Sequence, residues 1–401
     1  MTAPLEGVRI IDLTAMVSGP LATMMLADQG AEVIKVENPA GGDFTRSAAN
    51  RQGGLSASYL NNNRNKRSVA IDLKADEGRE ALWRLIESAD VFVQNFRPGV
   101  IERMGFGEEA VRAHAAEIIY VSISGYGEQG PYAGRPVYDP LVQGLSGLAT
   151  VQAGSDQRRP RLVRTILPDK LTGVTAAQAI TAALFARTRT GRGEHVRLSM
   201  LEATIAFLWS SDMGSQTFVG QELPQQEAAS FQDLIYATTD GYITIAVQSD
   251  REWQGLVRAL ERPDWAEDPR FRTAQSRQIH IDARLELTQS MIRHASSEHW
   301  LARLDAEGVP CAPVLTRGEM IDHPQVRACD IIHEYDHPQA GRIRQARMPA
   351  RFSSSEALPL SAAPALGEDT RALLRDSGYD EASLDELART GVITTPEEPQ
   401  G

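Results

Sequence analysis

A chain of 401 residues exceeds what one simple hydrophobic core supports and points to two or three domains. With 42% hydrophobic and 23% charged residues it has the composition of an ordinary globular protein, and its formal charge of −12 argues against a nucleic-acid partner while leaving room for a local basic pocket. Cys311 and Cys329 fit neither a zinc spacing nor a disulfide framework, "MTAPLEGVRIIDL" has no basic region followed by an apolar one, and no apolar run reaches membrane-spanning length, so the expected compartment is the cytoplasm.

The first third alternates between two hydrophobic periods. "VRIIDLT" reads as a buried strand, and "SGPLATMMLADQG" as a helix with Ser18 as its cap, Pro20 in the first turn and Gly30 as its stop. "AEVIKVE" is the next strand, followed after a polar loop by the strand "RSVAIDL", the helix "DEGREALWRLIESA" and the strand "DVFVQNF". A helix over Glu108–Ala116 leads into "IIYVSISGYG". Such alternation predicts right-handed βαβ units and a parallel sheet covered on both faces. From Asp169 to about Arg187 the apolar residues recur at helical spacing, and "EHVRLSMLEATIAFLW" gives a strand, a turn at Ser199–Met200 and a second long helix. The polar, Gln-rich segment after Gly214 reads as a linker. "DLIYATTDGYITIAV" predicts a hairpin turning at Asp240–Gly241, and helices over Asp250–Leu260 and Asp282–Arg293 follow. Short strands follow His323, a last helix is expected over Glu368–Asp376, and "TTPEEPQG" reads as a tail. The expected division is therefore residues 1–213 as a large α/β domain, 214–225 as linker, 226–325 as a small α+β domain, and 326–401 as a return segment with the tail.

The motifs narrow the chemistry. No G-x-G-x-x-G follows the first strand, which leaves a dinucleotide site unsupported, and none of the eight histidines falls in a zinc-binding pattern. The G-x-S-x-G elbow is also missing, so Asp, Glu or Tyr must carry any covalent or acid–base step. "NNNRNKRSVAIDLK" gathers Arg64, Lys66 and Arg67, which read either as a solvated turn or as a phosphate-holding cluster. "QNFRPGVIERMG" sets Asn95, Phe96 and Arg97 just after a strand, with Arg103 a turn further on; Phe96 is either a hydrophobic plug or a platform for a purine. The Gly-rich run containing Tyr126, Tyr132 and Tyr138 offers exposed N–H groups close to a ligand, or is only a long connection. In "RTILPDKLTGVTAAQAI" Asp169 occupies the place of a helix N-cap, and it can be only a cap or also the reagent, because a cap is a way to aim a nucleophile and keep it ionised.

Taken in order, "PLEGVRIIDLT", "GPLATMMLADQGAEVIKVENPAGGDFTR", "NRNKRSVAIDLK", "DVFVQNFRPGVIERMG", "ISGYGEQGPYAGRPVYDPLVQGLSG", "HVRLSMLEA", "DGYITIAV", "GVPCAPV" and "APALGEDT" resemble the class III CoA-transferases, a family that includes α-methylacyl-CoA racemases. The resemblance implies an α/β fold with a large Rossmann-like domain built from both chain ends, a smaller α+β domain and an interlaced homodimer. It places on Asp169 the attack on an acyl-CoA thioester, and implies CoA contacts from Val17, Ser18, Leu73, Lys74, Asn95, Phe96, Arg97, Arg103 and Tyr138, with Met200 near the reacting centre. Coenzyme A thioesters and carboxylic acids are then substrates, with no tightly bound cofactor or metal, and no membrane or nucleic-acid partner. Asn38 stands where some relatives carry a phosphate-binding Arg, which shifts the expected nucleotide anchor toward Arg64, Lys66 and Arg103. The racemase branch carries a His where this chain has Tyr138, and the expected activity is therefore transfer of CoA. The alternatives are a 2-methylacyl-CoA racemase and a non-catalytic CoA-binding protein.

Overall fold

The computed structural model describes residues 3–48, 50–222, 234–353 and 360–396. The chain forms two compact units, one from the residues before Ala228 and after Asp330, the other from Ala228–Asp330.

The first unit is organised by a seven-stranded sheet in the spatial order Ile393–Thr394, Lys66–Ile71, Glu32–Glu37, Arg9–Asp12, Val91–Gln94, Ile119–Ser124, His195–Ser199. All neighbours are parallel except the Ile393–Thr394 edge, which runs antiparallel to Lys66–Ile71. Numbered along the chain, the parallel strands lie in the doubly wound order 3-2-1-4-5-6, whose direction reverses between Arg9–Asp12 and Val91–Gln94. The strands are near-continuous apolar runs because both faces are covered. On one face Ile10, Val33, Val91, Val93, Ile119 and Val121 pack under the helices Ser18–Ala27 and Leu167–Thr190. On the other, Ile11, Ile34, Val69, Phe92 and Tyr120 pack under Asp76–Ile86, Thr370–Asp376 and Glu381–Arg389.

The two helices of the first face approach closely because Gly173 has no side chain. A Cβ there would lie 2.8 Å from the Ser18 carbonyl oxygen and 3.0 Å from Leu21. The chain's end is stitched to its beginning: Asp369 accepts a hydrogen bond from the Ser68 N–H at 3.0 Å, and Thr370 Oγ1 accepts one from the Ala70 N–H at 3.0 Å. The smaller unit pairs Tyr242–Ile245 with Ile235–Ala237 and with Cys311–Pro313, all antiparallel, over a core of Trp253, Trp265, Phe271 and Trp300. Its hairpin turns where the Asp-Gly pair predicts, with the Thr238 N–H donating to the Gly241 carbonyl at 3.0 Å.

Three expectations about elements need correction. Thr370–Asp376 is not the last helix, since Glu381–Arg389 follows it, capped by the Asp380 side chain, and leads to the edge strand. The segment expected as a linker begins with a 3-10 turn at Gly214–Gln216, and its last three positions lie outside the described residues, as does most of the expected tail. The long helix begins at Leu167 with Ile166 at its cap position, because Pro168 is accommodated within the first turn. Asp169 is therefore the third residue of the helix and not its N-cap.

Candidate active site

The strand order reverses between Arg9–Asp12 and Val91–Gln94, and in open α/β sheets ligands collect at the carboxyl ends of the strands that flank such a point. Asn95, directly after the second of these strands, clamps the loop after the first: its Oδ1 accepts from the Ala15 N–H at 3.0 Å, and its Nδ2 donates to the Ala15 carbonyl at 2.8 Å. The loop it holds is strained, since Met16 adopts the left-handed region with φ of 72°. A buried ionic cluster supports the loop from below. Lys35 Nζ donates to the Thr14 carbonyl at 2.8 Å and pairs with Asp43 at 3.0 Å, while Asp12 accepts from Thr14, Thr23 and Lys66. Burial alone would raise the Asp12 carboxyl, but Lys66 and Lys35 outweigh it and hold it well below the usual carboxylate range.

This scaffold presents Ser18 at the start of the Ser18–Ala27 helix, facing Asp169. The Ser18 hydroxyl donates to Asp169 Oδ1 at 2.5 Å, joining two half-sites 151 residues apart in the chain. Asp139 completes the group. Its Oδ2 accepts from the Asp169 backbone N–H at 3.2 Å and its Oδ1 from Gln143 Nε2 at 2.6 Å; Gln143 Oε1 in turn accepts from the Val163 N–H at 2.8 Å. Asp139 is thus the carboxylate that satisfies a first-turn N–H of the Leu167–Thr190 helix, which frees Asp169 from capping. Burial raises the Asp169 carboxyl above its ordinary value of 3.8; the Ser18 hydroxyl opposes the rise and the charge of Asp139 adds to it. Position at a helix start was expected to keep this group ionised, but desolvation and a like charge dominate.

The other sequence-derived residues divide into two sets. Val17 and Met200 are buried at the starts of the helices Ser18–Ala27 and Met200–Trp209, and Tyr138 is 66% exposed at the start of Asp139–Leu145, which packs on both Leu167–Thr190 and Met200–Trp209. Leu73 and Phe96 are half-buried against the same core patch, so Phe96 acts in part as a plug, while Lys74, Arg97 and Arg103 are exposed. Arg64 and Lys66 do not present their charges to a ligand. Arg64 is buried in a bidentate pair with Asp28, and Lys66 donates to Asp12, Asn63 Oδ1 and the Pro20 carbonyl. Burial brings Lys66 down to about 8 against the pull of Asp12. A phosphate bound by either would have to break a buried ion pair, which corrects the expectation drawn from their clustering. Asn95 spends its amide on the loop.

Sequence reasoning missed Asp139, whose signal was its place at the start of a helix directly after Tyr138, and Gly173, whose signal was a glycine inside a helical run. It also missed a cavity of about 320 Å³ with a mixed lining that includes Gln94, Phe96, Arg97, Ser122, His195 and Arg197. Gln94 donates to Ser122 Oγ, which bonds His195 Nε2 at 2.8 Å, and burial lowers His195 to about 4, so the imidazole is neutral. Tyr120 and His195, paired in register, contact each other beside it, and neither Ser18, Asp139 nor Asp169 lines this cavity, whereas Phe96 and Arg97 do.

Fold and site together describe an α/β protein with a desolvated, hydrogen-bonded carboxylate at the mouth of a doubly wound sheet. Comparison with known proteins agrees with that class. The model of CoA-transferase family III matches residues 5–370. The chain is 33% identical over 399 residues to succinyl-CoA:glutarate CoA-transferase of Mus musculus, covering 97% of this chain and 90% of that one. It is 32% identical over 417 residues to formyl-CoA:oxalate CoA-transferase of Escherichia coli O157:H7, covering 97% and 98%. Among solved structures, a CAIB/BAIF family protein from Brucella suis superposes with a TM-score of 0.81 at 30% identity, covering 94% of this chain and all of that one. The chain belongs to CoA-transferase family III and is an enzyme of that family.

Proposed function

We propose that the enzyme moves CoA from an acyl-CoA to a carboxylic acid through covalent bonds to Asp169. The observation that carries this reading is the bond from Ser18 to Asp169 Oδ1, because it shows the carboxylate held by a neighbouring helix instead of capping its own. One carboxylate oxygen attacks the thioester carbonyl; the C–O bond forms, the C–S bond breaks, and CoA leaves as thiolate with a mixed anhydride on Asp169. The thiolate then attacks Cγ of Asp169, and the donor acid departs as carboxylate carrying the attacking oxygen. An acceptor carboxylate reverses both steps. Every attacking and leaving group is already ionised, so no proton transfer is required. Desolvation raises the energy of the Asp169 anion and makes it a better nucleophile.

On this reading Lys74, Arg97 and Arg103, exposed at the carboxyl ends of the sheet, supply charge for the nucleotide end of CoA, and Leu73 and Phe96 supply apolar surface for its base. Val17, Tyr138 and Met200 line the path to the carboxylate. The acids exchanged are small dicarboxylic acids, a class supported by the relatives named for glutarate and oxalate. The active form is an interlaced cytoplasmic homodimer. In support, the helix Met200–Trp209 is apolar apart from Glu202 and Thr204 yet buries only Met200, Thr204 and Leu208, leaving Phe207 at 47% and Trp209 at 51% exposure. That Cys311 and Cys329 are not joined in a disulfide suits a reducing compartment. Acyl-CoA donors crossed with carboxylate acceptors, read by mass spectrometry, test the substrate class: exchange with small dicarboxylates supports it, and exchange confined to monocarboxylates rejects it.

A further inference from the structure

We infer that Ser18 is the hydrogen-bond donor that stabilises the oxyanion formed on Asp169 itself during turnover. The inference rests on the aspartyl reading above and adds to it a residue with a defined step. Once the other carboxylate oxygen has been acylated, Oδ1 is the carbonyl oxygen of the anhydride, and it remains the carbonyl oxygen in the aspartyl–CoA thioester. Attack on Cγ, by thiolate on the anhydride or by carboxylate on the thioester, puts a full negative charge on Oδ1 and withdraws it when the tetrahedral species collapses. The Ser18 hydroxyl already points at that atom, 2.5 Å away. Its bond is stronger to a localised oxyanion than to a neutral carbonyl, which makes the interaction differential between ground state and transition state.

The donor is also fixed in advance. Ser18 is 4% exposed, so water competes little for its hydroxyl. It begins a ten-residue helix, and Gly173 lets the Asp169 helix lie against it. Its neighbours cannot relax: a Cβ on Gly19 would fall 2.3 Å from the Thr14 Cβ, Asn95 clamps Ala15, and Met16 holds its left-handed backbone. Attack of Asp169 on the donor thioester builds charge on the substrate oxygen instead, out of this bond. Ser18 therefore serves the steps at Cγ and not the first one.

The test is Ser18→Ala beside Ser18→Thr, with intact-mass analysis of the protein after mixing with acyl-CoA. Ser18→Ala lowers kcat by about 10- to 100-fold with the KM for acyl-CoA nearly unchanged. It shifts the captured species from the CoA adduct toward the acyl adduct, and moves the acid limb of the rate profile to higher pH because a donor to the carboxylate is gone. Ser18→Thr recovers much of the rate. Wild-type kcat, adduct ratio and acid limb in Ser18→Ala, with wild-type enzyme still forming an Asp169 adduct, overturn the role of Ser18 alone. Absence of any Asp169 adduct in the wild type overturns the aspartyl reading and this inference together.

Discussion

At Asp169 the protein accepts an energetic cost that a structural carboxylate would avoid. Burial and the charge of Asp139 raise the Asp169 carboxyl above its ordinary value, so the folded state holds its proton more tightly than the unfolded chain does. The sign follows: whatever stability this group contributes is present at low pH and is lost as pH rises through the folded value. Asp169→Asn therefore abolishes transfer while leaving the melting temperature equal to or above that of the wild type, measured by calorimetry at neutral pH. A melting temperature well below wild type would mean that the carboxylate is structural. Asp139 contributes a like charge that raises Asp169, and its amide isostere retains an acceptor for the Asp169 N–H. Asp139→Asn should move the acid limb of the rate profile to lower pH, and a limb that stays or rises would contradict the assigned electrostatics.

The site is made by two helices that start side by side, and Gly173 sets their separation. Gly173→Ala introduces a Cβ only 2.8 Å from the Ser18 carbonyl, so the helices must part near the Ser18–Asp169 bond. The expected cost is about 1–3 kcal/mol in unfolding free energy, together with a loss of kcat out of proportion to any change in KM. Denaturant titration and steady-state kinetics on one preparation check both, and unchanged kcat would show that the close approach is not needed for chemistry. This dependence explains what was legible in the sequence. The strands and covering helices could be read because each carries its own periodicity and stop signals, as in "SGPLATMMLADQG". Asp169 could be singled out from its place beside Pro168 and from the family resemblance. Its actual partners could not, since Ser18, Asp139 and Gly173 are brought to it by tertiary packing across long stretches of chain. Arg64 and Lys66 failed as phosphate ligands for the same reason: their clustering is local, whereas their partners Asp28 and Asp12 lie 36 and 54 residues away.

For the molecule as a whole, the unit holding the site is closed by residues from both ends of the chain, with Asp369 and Thr370 bonded to the Lys66–Ile71 strand. Truncation before Asp369 would leave that strand without its antiparallel neighbour and remove Leu373, Leu374, Leu384 and Leu387 from the core. The exposed Phe185, Phe207 and Trp209 side chains mark the surface that the proposed dimer buries. Sedimentation should give twice the 43.8 kDa chain mass, and Phe207→Glu should shift the population toward monomer or aggregate with loss of activity. A wild-type protein that sediments and turns over as a monomer would refute the assembly while leaving the chemistry of Asp169 standing.

The most direct test of the account is capture of the covalent enzyme. Wild-type protein mixed with an acyl-CoA, quenched with hydroxylamine or borohydride and digested, should carry the modification on the peptide containing Asp169, and Asp169→Asn should carry none. Steady CoA transfer by Asp169→Asn without reversion to Asp, or capture at a different side chain in the wild type, would contradict it.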